Sequence, residues 1–180
     1  MKVILLADTH LLGPIKGHWF DKLRREWQMH RSFQTAVTLF NPEVIFILGD
    51  VFDEGNWVNE TEFHKYNMRF HRLFHVPSQT KLYSIIGNHD AGFHYATHPY
   101  LINRFEKAFN TSVVQLITEK EIHFVSINSM AMEQDGCDLC NEAKDKLEEI
   151  SEQLNCYKGI GKKCEGVKLK NYSKPIVLQV

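Results

Sequence analysis

Val44-Ile45-Phe46-Ile47-Leu48-Gly49-Asp50-Val51-Phe52-Asp53-Glu54-Gly55 decides how this 180-residue chain is built. Its first five residues are branched or aromatic and apolar, which suits a strand buried on both faces, as in a parallel sheet. The glycine and carboxylates directly behind it stand where an open α/β sheet gathers its ligands, at the carboxyl ends of its strands. Two other apolar runs end in the same way. Val3 to Ala7 runs into Asp8-Thr9-His10, and Leu82 to Ile86 runs into Gly87-Asn88-His89-Asp90. Each strand delivers its cluster to the same edge.

Helical stretches separate these runs. From Phe20 to Phe40 the residues Phe20, Leu23, Trp27, Phe33, Val37 and Phe40 recur near helical spacing, with Lys22, Arg24, Arg25 and Arg31 on the other side, until Asn41-Pro42 stops the helix. Thr61 to Phe74 and Pro99 to Phe109 repeat the pattern before the runs Leu82 to Ile86 and His123 to Ile127. Strands alternating with helices define an α/β layered sheet. Glu142 to Leu154 reads as an amphipathic helix, Tyr157 to Ser173 as a Gly- and Lys-rich loop, and Pro175 to Val180 as one more buried strand. No domain-sized linker divides the chain, so residues 1–180 read as one domain, with a loop insertion over about 135–173.

Composition narrows the classes of function. With 21 basic against 22 acidic residues there is no global field to hold a polyanion, so nucleic acid is not an expected partner. The longest apolar runs fall well short of the roughly 20 residues that span a bilayer. Five apolar residues after Lys2 are too few for the core of a signal peptide. Cys137, Cys140, Cys156 and Cys164 nevertheless form an even set in the last quarter of the chain, the usage of a disulfide-stapled segment in the secretory pathway. Three pairings are open to four cysteines. The sequons at Asn59, Asn110 and Asn171 are compatible with a lumenal, glycosylated protein.

Carboxylate, imidazole and amide oxygen are ligands for hard or borderline divalent ions, and the clusters lack thiolates. Residues two apart on an extended segment face the same way, so Asp8 and His10 can reach one ion together. Asp50 has two oxygens with which to bridge a pair of ions, Asn88 offers a neutral oxygen to the second, and His89 points into the cleft. Such a centre activates water and clamps phosphoryl oxygens. Asp53 is equally well read as a turn former or as a participant in the chemistry. Gly49 and Gly87 let the backbone come close to the ions. The helix histidines His64, His71 and His75 belong to a solvated face, and His94 and His98 to the surface or to substrate. Trp57, beside the second cluster, could stack on a glycan.

The Asp-x-His, Gly-Asp-x-x-Asp-x-Gly and Gly-Asn-His-Asp blocks, in this order, resemble those of the calcineurin-like metallophosphoesterases. That resemblance implies a four-layer α/β/β/α sandwich with two divalent ions, in which Asp8, His10, Asp50 and Asn88 are ligands, His89 assists the phosphoryl transition state and Asp90 orients the ring of His89. The flanking residues, among them Leu11-Leu12-Gly13, Trp19, Trp27, Glu54-Gly55 and Gly92-Phe93-His94-Tyr95, resemble a branch of the family that remodels glycosylphosphatidylinositol (GPI) anchors. For that branch the resemblance implies a manganese-dependent phosphodiesterase of the early secretory pathway (ER exit sites, ER-Golgi intermediate compartment and cis-Golgi). The resemblance implies that such an enzyme would remove the side-chain ethanolamine-phosphate from the second mannose, so that GPI-anchored proteins can be exported. Membrane association would come from segments absent from this chain.

The family pattern continues with a histidine directly after such a last strand, and then a Gly-His-x-His block. Here Val180 stands at the first of these places and the chain stops. The C-terminal part of the domain is therefore expected to be missing, and the isolated chain to bind metal weakly and turn over poorly. A non-catalytic binding module is the alternative reading. A nuclease of the same fold would want a basic groove that the near-neutral charge does not supply.

Overall fold

The three strands expected to carry the clusters form one parallel sheet. In the computed structural model, which describes residues 1–93, 96–133, 137–160, 164 and 172–179, β1 (Val3–Ala7), β2 (Val44–Leu48) and β3 (Lys81–Ile85) lie in the order β1-β2-β3. The register runs Val3 to Val44 to Lys81 and Ala7 to Leu48 to Ile85, so all three carboxyl ends fall on one edge. The central strand is the most apolar, and Val44, Ile45, Phe46 and Ile47 are buried. This sheet belongs to a unit spanning Met1–Thr111, and Ser112–Val180 forms a second unit.

Within the first unit, α1 (Trp19–Phe40), α2 (Glu60–Leu73), the short α3 (Asn88–Ala91) and α4 (Pro99–Phe109) connect or follow the strands. Asn41 ends α1 in the left-handed conformation, outside the right-handed region that a residue before proline avoids, and its N–H bonds back to Val37. Asn59 and His98 cap the starts of α2 and α4. An aromatic cluster fills the space among these elements. Phe70 of α2 is wholly buried, with ring centroids 5.0 Å from Phe74, 5.2 Å from Phe109 and 6.4 Å from Phe52.

Helix α1 departs from the sequence reading in which face it buries. Phe33 and Val37 are buried as expected, but Phe20, Leu23, Trp27 and Phe40 are exposed. The face turned to α2 is instead set by polar contacts one turn apart. Glu26 pairs with Arg69 at 3.2 Å, the His30 ring meets the Leu73 carbonyl at 2.9 Å, and Gln34 donates to the His75 carbonyl at 2.9 Å. Residues 26, 30, 33 and 37 share a stripe, and it is rotated from the apolar one at 20, 23 and 27.

In the second unit a separate sheet has the order β4-β5-β6, where β4 is Val114–Glu119, β5 is Ile122–Ile127 and β6 is Ile176–Gln179. The run His123 to Ile127, read as a strand, forms its centre. It pairs antiparallel with β4 and parallel with β6. The hairpin turns on Lys120 and Glu121, both at positive φ (48° and 66°), the conformation of a two-residue type I′ turn. Neither is a Gly or Asn, so the turn carries no sequence signal.

Helix α5 (Asp138–Lys158) is longer than Glu142 to Leu154. Its two ends carry the disulfides, Cys137–Cys140 and Cys156–Cys164. Asn59 and Asn110 are exposed; Asn171, His94 and most of the expected loop lie outside the described residues. Among those residues no helix is long and apolar enough to cross a membrane. Phe70→Ala is expected to lower stability by about 3–5 kcal/mol through lost burial and a cavity, read from urea unfolding; a loss under about 1 kcal/mol would mean that the aromatic cluster is not the core of the first unit.

Candidate metal centre

The loop after β1 is laced to the loop after β2. The His10 and Leu11 N–H groups donate to the carbonyls of Asp50 and Val51 at 2.9 and 3.0 Å, and the Asp53 N–H returns a bond to Leu11 at 3.1 Å. The Thr9 hydroxyl adds a bond to the Val51 carbonyl at 3.0 Å. Asp8, His10 and Asp50 all sit at positive φ (56°, 40° and 46°), and so does Gly49 at 64°. The Asp8 and His10 side chains therefore converge through left-handed turns and not through the strand alternation that the sequence suggested. His10 Nε2 ends 3.8 Å from Asp8 Oδ1 and 3.6 Å from Asp50 Oδ2. Holding non-glycine residues in this region costs energy, which the surrounding bonds must offset.

The loop after β3 joins the same assembly. Asp50 Oδ1 accepts the N–H of His89 at 2.9 Å, and the Asn56 N–H donates to the His89 carbonyl at 2.9 Å. Gly87 faces the Asp50 peptide and carboxylate so closely that a Cβ there would collide with both. What the missing side chain makes room for is thus Asp50 itself. Asn88 opens α3 immediately before His89.

Asp90 corrects the expectation made for it. Its carboxylate, wholly buried, accepts the N–H groups of Phe52 at 2.9 Å, Gly87 at 3.0 Å and Val51 at 3.1 Å. It clamps two loops and does not orient the His89 ring. Burial lifts its carboxyl to about 7, against the opposing pull of the three amides, and the neighbouring Asp50 charge adds to the rise.

Asp53 takes the orienting role. Its Oδ1 lies 3.1 Å from His10 Nδ1 and 3.6 Å from His89 Nδ1, and its backbone carbonyl lies 3.0 Å from His89 Nδ1. With Nδ1–H donating inward on both rings, each imidazole keeps the Nε2 lone pair for a ligand. The ligand atoms of His10, Asp50 and His89 fall within 4.8 Å of one another. Two imidazoles and a carboxylate, held from behind by a further carboxylate, form a donor set that fits a divalent ion such as Mn²⁺, Fe²⁺ or Zn²⁺. Asp8, its side chain 65% exposed, is at the rim of the group.

Residues that the sequence did not single out as site-formers support these loops. Glu54, wholly buried, accepts the N–H of Lys16 at 2.6 Å and of Ile15 at 3.2 Å, together with the Tyr66 hydroxyl at 3.4 Å. Burial and the Glu54 charge raise the Tyr66 phenol well above its ordinary value, so it stays a donor. Arg104 donates to the carbonyls of Gly55 at 2.6 Å and Val58 at 2.9 Å. Lys16 Nζ stands 3.6 Å from Asp53 Oδ2 and 4.3 Å from the ring centre of Trp57. The spacing of Asp53 and Glu54 behind Asp50 was a usable signal; Lys16 and Arg104 gave none, because backbone carbonyls and a distant carboxylate leave no pattern.

Fold and site together place the chain in a family of metal-dependent phosphoesterases. Residues 1–151 match the calcineurin-like phosphoesterase family, and the chain belongs to it. It is 51% identical over 180 residues to Metallophosphoesterase 1 homolog of Drosophila melanogaster, covering 99% of this chain and 49% of that protein. Metallophosphoesterase 1 of Gallus gallus is 51% identical over 183 residues, covering 99% of this chain and 46% of that protein. The Rattus norvegicus protein of the same name is 56% identical over 156 residues, covering 87% and 39%. The chain thus spans about half the length of the curated relatives it matches.

Asp90→Asn would keep one acceptor oxygen but set an amide donor either against the N–H of Phe52 or against those of Val51 and Gly87. It is expected to cost about 2–3 kcal/mol in urea unfolding of the metal-free protein. An unchanged midpoint would show that the clamp is not needed to hold the two loops.

Proposed function

We propose that this chain forms part of a divalent-metal phosphodiesterase. The observation that carries the reading is the convergence of His10, Asp50 and His89 with both Nδ1 atoms turned to Asp53. A divalent ion supplied there would polarise a phosphoryl oxygen and lower the pKa of a water molecule. The chain's own part is positional. Asp53 holds both rings through their Nδ1 atoms, Asp50 is locked by the His89 N–H, and His89, once it has also taken up a proton at Nε2, can pass that proton to a leaving alkoxide.

In its finer form the proposal follows the resemblance of the flanking blocks and the identity to the Metallophosphoesterase 1 proteins. Asp8, His10, Asp50 and Asn88 would hold a pair of divalent ions, manganese in this reading. The substrate is the side-chain ethanolamine-phosphate on the second mannose of GPI anchors. The partners are GPI-anchored proteins in the early secretory pathway, and the protein is lumenal, glycosylated and held at the membrane by segments outside this chain.

The test is hydrolysis of an aryl phosphodiester and of a mannosyl ethanolamine-phosphate with added Mn²⁺. Three proteins are compared: the 180-residue chain, the chain extended by the corresponding C-terminal portion of the Drosophila relative, and that extended chain carrying Asp50→Asn. The extended chain is expected to turn over and the variant to lose about a hundredfold or more. Turnover confined to the extended chain leaves binding as the role of the 180 residues alone. Activity that survives Asp50→Asn would overturn the assignment.

A further inference from the structure

Lys16 does not sit on the surface as an ordinary solvated lysine. Three independent contacts hold it. Its backbone N–H is bound at 2.6 Å to Glu54, a carboxylate with no exposed surface, so the loop that carries it is fixed at its base. Its ammonium lies 4.3 Å above the ring of Trp57, and 3.6 Å from Asp53 Oδ2. The Trp57 backbone N–H bonds to the Glu54 carbonyl at 3.1 Å, and the residue remains 58% exposed. A cation over an indole face keeps its charge while losing much of its freedom.

The position of that charge is specific. Asp53 meets Lys16 through one carboxylate oxygen and the two imidazoles of His10 and His89 through the other. Lys16 therefore stands one carboxylate away from both rings, on an edge where Asp8, Asp50 and Asp53 would otherwise make the field wholly negative. A phosphodiester brought to His10, Asp50 and His89 carries a non-bridging oxygen whose charge Lys16, paired with the same Asp53, can help to neutralise. The side chain is about a third exposed, so the ammonium is open to such an oxygen without leaving the indole.

We propose that Lys16 is a substrate-binding residue, an ammonium held on Trp57 that takes an anionic phosphoryl oxygen beside the metal edge. The inference rests on the phosphodiesterase reading. Its ligand is the phosphoryl group itself, whether free phosphate or an ester of a sugar or alcohol. Lysine suits the task as a compact charge, and arginine, though its planar fork has a different shape, keeps the charge and can stay on the indole face.

The experiment measures binding of inorganic phosphate by calorimetry with Mn²⁺ present, and the kinetics of an aryl phosphodiester, both in the extended chain described above. Lys16→Met is expected to weaken phosphate binding and to raise KM by about tenfold, with kcat within about twofold and bound Mn²⁺ unchanged. Lys16→Arg should stay near wild type. Trp57→Leu, which frees the lysine, should fall between the two, and the salt dependence of phosphate binding should flatten in Lys16→Met. Unchanged phosphate affinity in Lys16→Met overturns the proposal. So does a joint loss of kcat and Mn²⁺, which would make Lys16 a support for Asp53 and not a contact of the substrate. If the wild-type chain binds phosphate through Lys16 but hydrolyses no diester, the phosphodiesterase reading fails while the subsite stands.

Discussion

The arrangement depends on one buried carboxylate with three amide donors. Asp90 belongs to the short helix α3 after β3, two of its donors belong to the loop after β2, and the third is Gly87, which caps that helix. Buried anions are costly unless they are hydrogen-bonded, and here backbone N–H groups meet that need. The same bonds satisfy amides that no strand or helix serves. The Asp50 peptide, Asp53 and His89 take their places because these two stretches of backbone cannot separate. The loop after β1 joins through its own ladder to Asp50, Val51 and Leu11.

Asp53 shows how one side chain can organise a site without standing at its centre. It spends one oxygen on two imidazoles and the other on an ammonium. Orientation of metal-type histidines by a carboxylate behind them raises the basicity of the outward nitrogen and fixes its direction. The edge is therefore built in two rows, with His10, Asp50 and His89 in front and Asp53 behind. Lys16 closes the back row on one side with Trp57 beneath it.

The sheet was legible because strand burial and the clusters behind the strands are local patterns. β1, β2 and β3 fall within a residue of the runs read from the sequence. The sequence also pointed to His10, Asp50 and His89, since each follows a strand directly. What it hid were interactions across long separations. Asp90 has an acidic side chain next to a histidine, so a local reading joins the two, whereas its real partners are backbone amides 38 and 39 residues away. The same holds for α1, where Glu26, His30 and Gln34 find partners on or just after α2 that outweigh the apolar stripe. The Lys120-Glu121 hairpin escaped notice because its residues are not those that favour positive φ.

The clamp at Asp90 also bears on the order in which the molecule assembles. Parallel pairing of β2 with β3 requires the whole of α2 and its connections to be gathered first, a large loop-closure cost. Only when both strands are docked do the N–H groups of Val51 and Phe52 come within reach of the carboxylate. The clamp is thus a contact formed after the sheet and not one that nucleates it. Its worth is felt in how slowly the folded edge opens rather than in how quickly the chain collapses.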